Sequence, residues 1–152
     1  AFHIERATSE HPGFIALVHH LDAYLAGIDG EEHAFYARYN GIAALSNVVV
    51  AMVDGRPVGC GAFKPFDDRT VEIKRMYVLP EQRRTGVAGA VLEALETWVH
   101  SLGFNRCVLE TGRRMPEAIA FYTRNGYSVT ANFGPYEGVA NSVCFEKRLR
   151  AS

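Results

Sequence analysis

Apolar positions along the chain change their spacing several times, and each change marks an element. "FHIER" alternates as an opening strand. From Phe14 the apolar residues Ile15, Val18, Leu21 and Leu25 recur at helical spacing as far as Gly27, and "EEHAFYARYNG" predicts a second, shorter helix before Gly41. The period then becomes extended. "NVVVAMVDGRPVGCGAF" holds two apolar runs joined by Asp54-Gly55, a strong hairpin signal, and "TVEIKRMYVL" follows as a third strand stopped by Pro80. The stretch from 80 to 103 is helical, with Val87, Val91, Leu95, Trp98 and Leu102 on one face and Gly103 as its C-terminal cap. "NRCVLET" is a strand, "MPEAIAFYTRNG" a helix opened by Pro116 and closed by Gly126, and "NSVCFEKRL" a final strand. The expected product is one mixed α/β sheet with helices packed on it, centred on the strand-helix-strand unit from Val71 to Thr111.

Composition narrows this little. A chain of 152 residues, 48% of them hydrophobic, fits a single domain with one core. A formal net charge of -1 offers no bulk attraction to nucleic acid or an anionic membrane, so any charge-driven contact must be local, as at Lys74, Arg75, Arg83 and Arg84. The plain alternative for that cluster is a solvated face. Cys60, Cys107 and Cys144 are odd in number and set in apolar sequence, which suits buried thiols in the cytoplasm better than disulfides. The histidines and cysteines show no metal-ligand spacing. No signal-peptide pattern or long apolar span is present in the sequence, so a cytoplasmic protein is expected.

The third helix begins oddly. Gly86 and Gly89 stand at its start although glycine in a helix is unfavourable by up to about 1 kcal/mol relative to alanine, and Arg83 and Arg84 stand directly in front. A strand that turns into a helix whose first N–H groups carry no side-chain cover is an anion site, because unpaired amides and the helix dipole point the same way. "GVAGAV" lacks the lysine and hydroxyl of a P-loop and does not supply G-x-G-x-x-G, which disfavours nucleotide hydrolysis and dinucleotide redox chemistry. Close helix packing is the bland explanation of the two glycines.

Arg83-Arg84-Thr85-Gly86-Val87-Ala88, following a strand that ends Met76-Tyr77-Val78, resembles the R-x-x-G-x-G/A signature of the GNAT superfamily of acyl-CoA-dependent N-acyltransferases. "VEIKRMYVLPEQRRTGVAG", "LETG" and "AIAFYTRNGY" stand in that family's order and spacing, from about Asn47 to Tyr127. The resemblance implies a mostly antiparallel sheet, splayed at its centre by a bulge between the strands at 71–79 and 106–111, with helices on both faces. Acetyl-CoA is the implied co-substrate. Its pantetheine arm would pair with backbone at Met76 and Val78, alongside Tyr77, and its pyrophosphate would sit on the amides running through Arg84, Thr85, Gly86, Val87, Ala88 and Gly89. One departure stands out: where the family often opens the next helix with an asparagine that touches the cofactor, this chain has Met115-Pro116-Glu117.

The same resemblance implies the chemistry. Acyl transfer from a thioester to an amine needs a neutral amine, a stabilised oxyanion and a protonated leaving thiolate. Glu72 stands where some members carry a glutamate that removes the amine proton through water; the alternative is a surface Glu72–Lys74 pair. Tyr122 stands at the tyrosine that protonates the departing sulfur; the alternative is an apolar-face aromatic beside Ile119. No cysteine has a motif that would activate it as a nucleophile, so direct attack in a ternary complex is expected. The acceptor pocket is implied around 25–39 and 131–141, where Phe35, Tyr36, Phe133 and Tyr136 are aromatic and Asp29, Glu31, Glu32 and Glu137 could hold a cation. A small amine is the expected acceptor, with a protein lysine or N-terminus as the other option. Two readings outside catalysis stay open: a module that binds acyl-CoA without turning it over, and a partner-binding domain, for example a homodimer through the last strands.

Overall fold

Asp54 and Gly55 both take positive φ, 49° and 78°, the backbone of a type I′ turn, and so join β2 (Asn47–Val53) to β3 (Arg56–Pro65) as the predicted hairpin. The computed structural model describes residues 2–29 and 45–150, so the helix expected from "EEHAFYARYNG" lies outside the described residues. β1 (His3–Ala7) pairs antiparallel with β2, and β4 (Thr70–Val78) follows β3. β5 (Arg106–Gly112), β6 (Ser128–Thr130) and β7 (Ser142–Arg148) complete a seven-stranded sheet in the order β1-β2-β3-β4-β5-β7-β6. The β4–β5 ladder is parallel and joins Thr70, Val71 and Glu72 to Arg106, Cys107 and Val108; the other strand pairs whose register is defined are antiparallel. Three α-helices lie among the described residues: α1 (Pro12–Asp29), α2 (Val87–Ser101) and α3 (Pro116–Arg124).

The chain divides into two compact units that share β4. The first comprises Ala1–Lys64 and Ile73–Trp98, the second Pro65–Glu72 and Val99–Ser152. In the first unit α1 buries Phe14, Leu17, Val18 and Leu21 against Val48 and Val50 of β2, Cys60 and Ala62 of β3 and Tyr77 of β4. Each large apolar side chain so buried contributes roughly 1.5–3 kcal/mol. Val18 and Leu21 are buried as expected and Leu25 packs at the margin, but Phe14 and Leu17 join them, while Ile15 is only half-buried. On α2, Val87, Val91, Leu92, Leu95 and Val99 are buried, whereas Leu102, expected on the same face, lies beyond the helix end and is exposed.

In the second unit β5 pairs with β7 along seven residues, from Arg106 opposite Arg148 to Gly112 opposite Ser142. β6 was not foreseen. It is three residues long, and Val129 at its centre is exposed, so no alternation of buried and exposed positions marks it. α3 ends as predicted at Gly126, whose φ of +91° closes a Schellman motif: Tyr127 N–H donates to the Tyr122 carbonyl at 3.0 Å and Gly126 N–H to Thr123 at 3.2 Å. That cap fixes the end of the helix carrying Tyr122.

Candidate active site

The glycine turn forms within the first unit. After β4, Pro80–Gln82 makes one 3-10 turn, with Gln82 N–H donating to Leu79 at 2.9 Å and Arg83 N–H to Pro80 at 3.3 Å. Thr85 Oγ1 donates to the Gln82 carbonyl, and Arg84 and Gly86 take φ of +66° and +89°. Gly86 therefore supplies a conformation unfavourable to residues with a Cβ. α2 begins only after it, at Val87, later than the sequence predicts. Ala90 N–H donates to the Gly86 carbonyl at 3.1 Å, so the amides of Val87, Ala88 and Gly89 precede the helical ladder. A Cβ on Gly89 would meet nothing within 4 Å, which rules out close helix packing as the reason for this glycine.

Val87 itself points inward. It is buried, and its Cγ1 lies 2.8 Å from where a Cβ on Gly59 would sit, so β3 runs directly beneath the first turn of α2. Of the two arginines, Arg84 is exposed, while Arg83 donates from Nε to the Val78 carbonyl at 3.1 Å and lies 5.7 Å and 5.8 Å from the ring centroids of Tyr24 and Tyr77. Arg83 thus braces the strand end. Tyr77 places its side chain in the core beneath α1, and Met76 Sδ fills the space beside Gly61.

Within β4, Arg75 adopts φ of +59°. Its guanidinium donates from Nη1 to Asp22 Oδ1 on α1 at 2.9 Å, and its carbonyl accepts the Cys60 thiol at 3.4 Å. The left-handed residue breaks the pleat, so the alternation that would put Glu72, Lys74 and Met76 on one side does not carry across it. Lys74 and Arg75 are buried rather than part of a solvated basic face.

The acid–base candidates fall in the second unit. Glu72 is 5% exposed, which removes the surface ion pair as an account of it. Tyr136 donates from its hydroxyl to Glu72 Oε2 at 3.4 Å. On β5, Glu110 accepts from Ser142 Oγ at 2.8 Å. Tyr122 is buried against Phe121, Tyr127 and Phe145, with ring centroids 5.2, 5.7 and 6.2 Å away. Burial, and then the negative charge of Glu110, push its phenol above the ordinary tyrosine range. Burial pushes the Tyr136 phenol up as well, followed by Glu72 and Glu110. Glu110 therefore acts on both tyrosines and Glu72 on Tyr136, and both phenols stay protonated at neutral pH.

Tyr136, which the family resemblance places at the acceptor pocket, is fully buried and donates to Glu72. Phe133 packs edge-on between Phe66 and Tyr136, and Glu137 is exposed. Phe35, Tyr36, Glu31 and Glu32 lie outside the described residues, as does the side chain of Asp29. Glu110 and Ser142 were not anticipated; the only sequence signal was Glu110 within "LETG". Cys60, Cys107 and Cys144 are buried and form no disulfide. Among the described residues no three His, Cys, Asp or Glu side chains gather as metal ligands, and no helix is long and apolar enough to cross a membrane.

Known proteins resemble this chain in sequence and fold. Residues 14–127 match the family described as the acetyltransferase (GNAT) family. An IAA acetyltransferase of Azospirillum brasilense is 30% identical over 148 residues, covering 96% of this chain and 97% of its own. A candidate acyl-CoA N-acyltransferase of Klebsiella pneumoniae, solved by crystallography, superposes with a TM-score of 0.84 at 30% identity and covers 98% of both chains. A GNAT acetyltransferase of Elizabethkingia anophelis, solved with acetyl-CoA bound, shares the fold at a TM-score of 0.68 and 18% identity, over 97% of this chain and 98% of its own. The left-handed turn at the head of α2, the parallel β4–β5 ladder and these matches have one explanation: the chain belongs to the GNAT family of acetyltransferases.

Proposed function

We propose that this acetyltransferase moves the acetyl group of acetyl-CoA to the amine of a small acceptor in the cytoplasm, with both substrates bound together and no covalent enzyme intermediate. The turn carries this reading. Two positive-φ residues deliver α2 with its leading amides bare at Gly89, which suits the dianionic pyrophosphate of an acyl-CoA. Pantetheine would pair with backbone at Met76 and Val78; the Val78 carbonyl already accepts from Arg83 and has a second lone pair to give.

Glu72 takes the proton of the attacking ammonium through water, so that a neutral amine reaches the thioester carbon. As the tetrahedral intermediate collapses, the C–S bond breaks and the sulfur acquires negative charge. Tyr122, kept protonated by burial and by Glu110, hydrogen-bonds that sulfur. With a phenol above its ordinary range and a thiolate near about 8.5, complete transfer is uphill, so the benefit lies in a donor held ready as charge develops. A thiol nucleophile is disfavoured, since burial pushes Cys60 up to about 12 and Cys144 up to about 11. A reducing cytoplasm fits three buried thiols outside any disulfide.

The test is a thioester-cleavage screen across primary amines, with mass spectrometry of the products. Amine-dependent release of coenzyme A with an acetylated product is expected. Tight binding of acetyl-CoA without release under any amine would make the protein a non-catalytic acyl-CoA-binding module, and no binding at all would reject the reading.

A further inference from the structure

The connection from β6 to β7 is built around one hydroxyl. Gly134–Tyr136 forms a single 3-10 turn, with Tyr136 N–H donating to Phe133 at 3.0 Å. Val139 N–H returns to the Tyr136 carbonyl at 3.0 Å and Ser142 N–H to Val139 at 3.0 Å. Across this coil the Asn132 side-chain amide donates to the carbonyls of Tyr136, Val139 and Ser142 at 3.1, 3.2 and 3.2 Å. The Tyr136 ring stands edge-on to Phe133 at 5.6 Å, and Phe133 in turn is edge-on to Phe66 at 5.2 Å. Held by backbone, by one amide and by two rings, the side chain is 2% exposed and ends at Glu72 Oε2.

So constrained a mount is more than apolar filling requires. A phenylalanine would occupy the same space, whereas a buried tyrosine must find a partner for its hydroxyl. We propose that Tyr136 is a positioning residue for the transfer reaction: its hydroxyl holds the Glu72 carboxylate in one orientation, and Asn132 locks the turn that holds Tyr136. This rests on the reading of Glu72 as the base. Glu110 from β5 and Cys144 from β7 also act electrostatically on the Tyr136 phenol.

The experiment compares Glu72→Gln, Tyr136→Phe, Asn132→Ala and the double variant Glu72→Gln/Tyr136→Phe, each checked for thermal unfolding and acetyl-CoA affinity. Tyr136→Phe is expected to lower kcat by about ten- to a hundredfold, the range of a hydrogen bond to a charged group, with acetyl-CoA affinity unchanged. The loss should fall on kcat, with KM for the amine near the wild-type value. Asn132→Ala should lower kcat in the same way by less. In the Glu72→Gln background the loss of the Tyr136 hydroxyl should add almost nothing. If Glu72→Gln is impaired while Tyr136→Phe and Asn132→Ala keep wild-type turnover, Glu72 is the base and the positioning role is overturned. If Glu72→Gln itself keeps wild-type turnover, the reading of Glu72 fails and the inference with it.

Discussion

Gly89→Glu should make the protein more stable and worse at binding acetyl-CoA, an unusual pairing of signs that follows from the turn. Gly89 is the third residue of α2, and a Cβ there meets nothing within 4 Å, so the new side chain displaces no neighbour. Exchanging glycine for a good helix former contributes about 0.5–0.8 kcal/mol, and a carboxylate in the first turn a further 0.3–1 kcal/mol or so through the dipole. Together these raise the melting temperature by roughly 2–6 °C for a chain of this size. A phosphate charge about 5 Å from the new carboxylate is repelled by about 3 kcal/mol at an effective dielectric of about 20. Even if solvent removes half of that, acetyl-CoA affinity falls at least about tenfold. Titration calorimetry and thermal melts of the same preparation measure both. Unchanged affinity in the stabilised variant would refute the turn as the anion site, and a lowered melting temperature would refute the claim that this face of α2 is open.

Tyr122→Phe keeps the ring among Phe121, Tyr127 and Phe145 and removes only the hydroxyl; single-turnover rates should drop about ten- to a thousandfold with acetyl-CoA affinity nearly unchanged, and wild-type rates in a well-folded variant would leave Tyr122 as a packing residue. Asp22→Ala strands the buried Arg75 guanidinium; because Asp22 is itself nearly half exposed, the loss is discounted to about 1–2 kcal/mol, and chemical denaturation should show Asp22→Ala/Arg75→Met losing less than Asp22→Ala alone. Burial lifts the Cys60 thiol from 9.0 to about 12 against the opposing charge of Arg75. The folded state then binds a proton that the unfolded state releases, so this contribution is full below about pH 9 and is lost as pH rises towards about 12. The urea midpoint should fall between pH 8 and about 10.5, and fall less in Cys60→Ala; equal declines in the two proteins would contradict the assignment.

Features carried by local backbone chemistry were legible in the sequence. Asp54-Gly55 could only be a tight hairpin turn, Gly126 closes α3 where it was expected, and Gly103 ends α2 with φ of +95° and the same paired cap bonds, Phe104 N–H to Val99 and Gly103 N–H to His100. Gly86 was read as part of a helix, because spacing alone cannot tell a first-turn glycine from a left-handed residue that precedes the helix. On α1 the expected face held at Val18, Leu21 and Leu25 and failed only at its start: Phe14 and Ile15 are apolar neighbours, and packing against β2 and β3 decides which one turns inward. Arg83 matched the expected signature, yet the tertiary structure directs it to Val78, Tyr24 and Tyr77. Tyr136 and Glu72 are 64 residues apart, so their contact had no local trace at all.

The turn before α2 is held by its own bonds, with Gln82, Arg83 and Thr85 tied to the backbone behind them. A turn so held spares a ligand the ordering that a floppy loop would require, and on the proposed function it would meet phosphate through main-chain amides. Such a site reads the carrier and ignores the cargo. Free coenzyme A has the same pyrophosphate as its acetyl thioester, so on the proposed function the turn holds product as firmly as substrate, which is binding that does nothing for the chemical step. The rate inside a cell would then follow the ratio of acetylated to free coenzyme A rather than the amount of acetyl-CoA, making the enzyme responsive to the acyl charge of its surroundings without any separate regulatory site.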